Sequence, residues 1–180
     1  VTLRPETSGG RFTFDADELR AAITPKTRVV LLNSPHNPTG TVLTRAELQA
    51  VADVCIERDL IAVTDEVYEH LVYDDSEHIP LATFPGMRER TVSISSAGKS
   101  FSVTGWKIGW ICAPALLVTA VNTVKQFLTY VNGAPLQLAV AYALDNEMPW
   151  VDALRDSLQD RRDRLAKGLE TVGLTVSRPQ

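Results

Sequence analysis

Four short apolar runs rich in β-branched residues mark the chain: RVVLLNS at 28–34, LIAVTD at 60–65, TVSISS at 91–96 and KIGWICA at 107–113. Runs of that length, bounded by turn-forming residues, predict strands. Between the first two, LTRAEL opens a helix by its entry chemistry. Thr44 and Glu47 have the spacing of a reciprocal cap, and Leu43 and Leu48 that of a hydrophobic staple. Leu48, Val51, Ala52 and Cys55 then share one stripe, as on a helix packed against a sheet. FDADEL repeats the arrangement upstream, with Asp15 as cap, Glu18 reaching back and Phe14 stapling onto Leu19. A strand, a capped helix and a strand in succession predict a parallel pair, and with it an α/β chain.

The later pattern is helical. Helices are expected at about 115–130 and about 135–147, then a long amphipathic one from Pro149 with Val151, Leu154, Leu158, Leu165 and Leu169 inward and Gly173 as its stop signal. Its polar face holds RDSLQDRRDRLAK, a mixed-charge run suited to water. The closing LTVSRPQ has the pattern of a strand that begins, and the first residues lack a start methionine; a segment of a longer chain is expected.

Composition narrows the function classes. With 180 residues, 44% hydrophobic and 22% charged, the chain can bury one sizeable core. A net charge of -4, with no obvious basic face, argues against a nucleic-acid partner. No apolar stretch approaches the ~20 residues of a membrane span and no signal-peptide pattern opens the chain, so a soluble cytoplasmic protein is the expectation. Cys55 and Cys112 fall in apolar patterns without metal-ligand spacing; they are read as small core residues, and no metal site is expected.

The polar residues that follow each apolar run are the natural shortlist, because open α/β sheets bind ligands beyond the carboxyl ends of their strands. After the first run comes SPHNPTG with Asn37; the second ends in Asp65 with Tyr68 close behind; the third leads into SSAGK with Ser95, Ser96 and Lys99. Taken singly, Asp65 is a helix cap, Tyr68 a core residue, NPTG a turn and Lys99 a solvated loop lysine. Lys107 completes a puzzling pair with Lys99 between apolar runs, since a buried ammonium is costly unless it is paired or has a chemical task.

In order and spacing, NSPHNPTG, TDEVYEHLVYD and SISSAGKSFSVTGWKIGW resemble the fold-type-I pyridoxal-phosphate aminotransferases of class I/II. The wording of the third motif is similar to the kynurenine aminotransferase branch and to the actinobacterial N-succinyldiaminopimelate aminotransferases. The resemblance covers essentially the whole chain. It implies a three-layer α/β sandwich with a mixed, mostly parallel sheet, residues 1–147 belonging to the cofactor-binding large domain, and 148–180 forming a linking helix and the start of a small α+β domain.

It further implies residue roles toward pyridoxal 5'-phosphate. Lys99 would hold the cofactor as an internal Schiff base and move the substrate proton, with Asp65 pairing with the pyridine nitrogen. Asn37 and Tyr68 would bond the ring's phenolic oxygen. Ser96 and Lys107 would bind the phosphate, with Ser95 as a weaker candidate. Tyr130 falls where the related branch sends a residue into the neighbouring subunit of a homodimer. A glycine-rich segment, a ring-stacking aromatic residue and the arginine that grips the substrate carboxylate are expected outside this stretch.

Of the remaining residues, Gly105 and Gly109 fit a backbone passing close to a strand or cofactor, Trp106 and Trp110 read as core packing, and His36 reads as a loop hydrogen-bonder. His70 and His78 have no partner that the sequence identifies. The implied activity is transfer of an amino group from an L-amino acid to a 2-oxo acid. A carbon-sulfur β-lyase on the same site is the near alternative, and a cofactor-binding regulatory module or an inactive fragment the distant one.

Overall fold

A computed structural model describes residues 1–6 and 10–180. A short antiparallel pair, β1 (Arg4–Pro5) and β2 (Phe12–Thr13), precedes helix α1 (Ala16–Ala22). A single four-stranded sheet follows, ordered β3 (Val29–Asn33), β4 (Ile61–Asp65), β5 (Thr91–Ser96) and β6 (Gly109–Cys112). The first three strands are parallel and β6 runs against β5, which gives the expected mixed, mostly parallel sheet.

Helix α2 (Arg45–Glu57) crosses from β3 to β4 and starts as its sequence requires. The Thr44 hydroxyl accepts from the Glu47 amide and the Glu47 carboxylate accepts from the Thr44 amide at 2.8 Å. α1 is capped differently from expectation. Asp15 accepts from the Asp17 and Glu18 amides, but the Glu18 side chain turns away to pair with Arg4, whose guanidinium outcompetes a neutral amide for a carboxylate. The main core lies between these helices and one sheet face, with Leu48, Val51, Ala52, Val54 and Cys55 of α2 packed on Ala62, Leu81 and Met87. Val30 and Leu32 of β3 face the same cluster, while alternation sends Val29 and Leu31 to the opposite, exposed face.

Four further helices are the one-turn α3 (Ala97–Ser100), which follows β5, and α4 (Ala115–Leu128), α5 (Ala134–Asn146) and α6 (Met148–Thr171), which follow β6. Val151 and Ala166 are the buried positions of α6, whereas Leu165 is 65% exposed. The inward stripe therefore advances through Ala166, where a small residue lets the helix approach its neighbour. Arg162 pins the helix to the loop that follows β4: it pairs with Asp74 at 2.8 Å and lies 4.9 Å from the centre of the Tyr73 ring. Gly173 takes φ +85°, a conformation that suits glycine and ends the helix.

Residues 174–180 join no strand ladder. Instead the Gln180 amide donates to the Gly40 carbonyl at 2.9 Å, laying the end of the chain over the turn at 35–41. Cys112 is exposed, not core, because it lies on β6, which has a strand neighbour on one side only in this sheet. Among the described residues no helix is long and apolar enough to cross a membrane.

Candidate active site

Because β3, β4 and β5 run parallel, their carboxyl ends lie along one edge, where Asn33 aligns with Asp65 and Asp65 with Ile94. Asp65 is the last residue of β4 and is half-buried. Its carbonyl accepts from the Ser34 amide at 3.1 Å and from Asn33 Nδ2 at 3.0 Å, and its Oδ1 accepts from the Val67 amide at 3.3 Å. Asn33 was not on the sequence shortlist, yet its Oδ1 also accepts from the Asn37 amide at 2.8 Å. It thereby ties the Asp65 strand end to the Asn37 turn; the signal was its place as the first polar residue after VVLL.

Asn37, Tyr68 and Lys99 meet across three separate segments. Asn37 Nδ2 donates to the Tyr68 hydroxyl at 3.4 Å, and Lys99 Nζ lies 5.6 Å from the centre of the Tyr68 ring. Lys99 sits on the short helix α3, not in an open loop, because Ser96 caps that turn by accepting from the Gly98 amide at 3.3 Å. The Thr104 hydroxyl donates to the Gly98 carbonyl at 3.0 Å and closes the turn from the other side. Lys99 is half-buried, so part of its amine's hydration is replaced by the Tyr68 face. A cavity of about 290 Å³ opens beside this group, lined by Asn37, Pro38, Tyr68, Tyr73, Leu158 and Pro179.

Two shortlisted residues stand apart. Ser95 is buried and its hydroxyl donates to the Glu69 carboxylate, so alternation along β5 turns it from Ser96 to the other face of the sheet. It is thereby removed as a phosphate candidate. Lys107 lies before β6 and not within it; it is exposed, with φ 57° at the end of a turn spanning Thr104–Trp106. Its side chain has no partner among the described residues, which leaves the ammonium free for an anion.

The neighbouring residues divide similarly. A Cβ on Gly109 would meet the Ser95 carbonyl oxygen at 2.8 Å, so the glycine permits close passage of β6 along β5; nothing crowds Gly105. Trp110 packs in the second apolar cluster with Ile108 and Val140, but Trp106 is 40% exposed because it ends the turn before the strand. His36 bonds Thr39 at 2.8 Å as a loop residue should, and burial lowers its pKa. His78 does have a partner, Glu66, at 3.2 Å, and His70 lies 3.8 Å from Glu69.

The family model described as "Aminotransferase class I and II" matches residues 2–180. The chain belongs to the class I and II aminotransferases. It is 57% identical over 176 residues to a probable N-succinyldiaminopimelate aminotransferase of Mycobacterium tuberculosis, covering 98% of this chain and 44% of that protein. It is 45% identical to human kynurenine-oxoglutarate transaminase 3, covering 93% of this chain and 38% of that one. The solved N-succinyldiaminopimelate aminotransferase structure from M. tuberculosis superposes with a TM-score of 0.95 at 55% identity, over all of this chain and 47% of that one. This class I and II aminotransferase chain thus spans less than half the length of the relatives it matches. Enzymes of the family use pyridoxal phosphate.

Proposed function

We propose that this chain carries the cofactor-holding part of a pyridoxal-phosphate-dependent transaminase that moves the amino group of an L-amino acid to a 2-oxo acid. The observation that supports this most is the convergence of Asn37, Tyr68 and Lys99 beside the adjacent strand ends that hold Asp65 and Ser96. The donor set suits the group chemically: an amine for its aldehyde, a carboxylate for its ring nitrogen, amide and phenol donors for its ring oxygen, and a hydroxyl with a free ammonium for its phosphate.

When bound, pyridoxal phosphate accepts the electron pair left on the substrate Cα after deprotonation. Lys99 would hold it covalently through Nζ and then, once displaced, take and return the proton at Cα. Asp65 would keep the ring nitrogen protonated by its adjacent negative charge. Asn37 and Tyr68 would donate to the ring oxygen. Ser96 and Lys107 would bind the phosphate, the lysine acting as a point charge in place of a fork.

The relatives named above are transaminases, which favours amino transfer over the lyase and regulatory alternatives. The donor is proposed to be an L-amino acid of the N-succinyldiaminopimelate, kynurenine, methionine or glutamine type. The same reading takes 1–147 and 148–180 as parts of two domains, and the protein as a cytoplasmic homodimer in which Tyr130, 79% exposed, reaches toward the partner's site.

The test is borohydride reduction of the full-length, cofactor-loaded protein followed by peptide mass spectrometry. A cofactor adduct on Lys99 is expected; a wild-type adduct on another lysine, or a reducible cofactor adduct that persists in a Lys99→Ala variant, would overturn the assignment. Titration with the four donors, followed by absorbance, then selects the substrate.

A further inference from the structure

Asp65 is flanked in sequence by two buried polar residues, Thr64 and Glu66, whose side chains alternation turns away from it. Glu66 is a carboxylate only 5% exposed, a position that is costly unless every lone pair finds a donor. Its Oε1 accepts from the Thr64 hydroxyl at 2.6 Å and from the Ser93 hydroxyl of β5 at 3.2 Å. Its Oε2 accepts from His78 Nε2 at 3.2 Å, and its amide donates to the Ile94 carbonyl at 2.8 Å. One buried carboxylate thus clasps β4 to β5 directly behind Asp65.

The clasp continues sideways. The Glu69 amide donates to the Glu66 carbonyl at 2.8 Å, and the Glu69 carboxylate accepts from Ser95, the residue before Ser96. Oxygens of Glu66 and Glu69 and a ring nitrogen of His78 all lie within 4.8 Å of one another, with His70 on the outer side of Glu69. His78 Nδ1 is buried without a partner among the described residues. The ring nitrogen that meets the Glu66 carboxylate is Nε2, and since a carboxylate oxygen can only accept, Nε2 is the donor.

We propose that Glu66 and His78 are positioning residues for the cofactor: through the Thr64–Ser93 clasp they fix the direction of the Asp65 carboxylate, and Glu69–Ser95 does the same for Ser96. A purely structural need would be met as well by apolar residues of similar volume, which are frequently no less stable than a buried polar group. What apolar packing cannot supply is a directional tie to the two strand ends that carry the site. The inference rests on the transaminase reading above, and it assigns neither residue a part in proton transfer.

The experiment uses the full-length cofactor-loaded protein and compares wild type with His78→Leu, His78→Gln and Ser93→Ala. Three quantities are read: cofactor dissociation constant, the pH midpoint of the bound cofactor's absorbance change, and, in the cofactor-free protein, hydrogen exchange at the Glu66 and Val67 amides. His78→Leu is expected to weaken cofactor binding about tenfold, the scale on which supporting hydrogen bonds act at metal sites. It should also move the pH midpoint and speed exchange at both amides. His78→Gln, which can still donate to Glu66, should restore all three to within about twofold of wild type.

A fall in melting temperature with unchanged cofactor affinity and midpoint would overturn the proposal in favour of a structural role. If His78→Leu does not fold, Ser93→Ala removes one donor from the same carboxylate and is judged on the same readouts. A wild-type protein with no reducible adduct at Lys99 would fail the transaminase reading itself, and this is determined before any variant is compared.

Discussion

Lys99 Nζ lies 5.6 Å from the centre of the Tyr68 ring, so the amine rests against an aromatic face instead of a carboxylate. An ion pair would hold the lysine charged and still; an aromatic face stabilises it by only roughly 0.5–1 kcal/mol where partly exposed and releases it readily. The Tyr68 hydroxyl is meanwhile in contact with Asn37. Replacing Tyr68 by Phe should keep the ring and lose the hydroxyl, weakening cofactor binding by about two- to tenfold, the range of one hydrogen bond. Tyr68→Ala should lose more, and equilibrium dialysis of the two variants measures the difference.

Asp65→Asn is nearly isosteric, and the bonds from the Ser34 amide and Asn33 Nδ2 to the Asp65 carbonyl do not depend on the carboxylate charge. The fold should therefore persist, as read by circular dichroism. Single-turnover amino transfer should fall by at least about 10²-fold, the scale of losing a preorganised electrostatic partner. A variant with near wild-type turnover would remove Asp65 from its proposed role.

Lys107 is exposed and unpartnered among the described residues, so its attraction to a phosphate is open to screening by salt. Lys107→Ala should weaken cofactor binding by about tenfold at low ionic strength and by less at high salt. The slope of affinity against salt, compared between the two proteins, checks this.

Glu47 gives the molecule an acid-sensitive joint. Burial pushes its carboxyl up, but hydrogen bonds from Arg11, Thr13 and Thr44 pull it down to about 2 from 4.5. A depressed folded-state pKa contributes stability that is present above the unfolded value and lost as the carboxylate takes up a proton. The loss should therefore run from about pH 4.5 down to about pH 2, with a total of order 3 kcal/mol at 1.36 kcal/mol per unit. Urea titrations across that window should show a flatter acid limb for Glu47→Gln than for wild type.

Leu48 and Leu165 read alike in the sequence, both on apolar helical stripes, and the structure separates them: Leu48 is buried in the main core and Leu165 is exposed. Leu48→Ala should cost about 2–5 kcal/mol. Leu165→Ala should stay within about 0.5 kcal/mol. Chemical denaturation of the two variants settles which stripe is load-carrying in each helix.

Much of the fold was legible because its causes are local. Thr44 and Glu47 cap α2 by contacts within four residues, and the β-branched runs become β3 to β6 within one or two residues of the pattern. The candidate site was legible in part for the same reason: Asn37, Asp65, Tyr68, Ser96 and Lys99 lie at or just after the ends of apolar runs, and a parallel sheet brings such ends together.

What the sequence by itself determined was the set of strands and helices, the α/β class and the family pattern of strand-end residues. Only the tertiary structure decided that Ser95 faces Glu69 while Ser96 does not, that Asn33 joins Asp65 to Asn37, and that His78 meets Glu66. Each of these turns on which residue of a neighbouring segment lies within about 3 Å, a distance set by register and loop path. Period and composition carry no information about that choice, because the partners lie on segments that meet only once the sheet has formed.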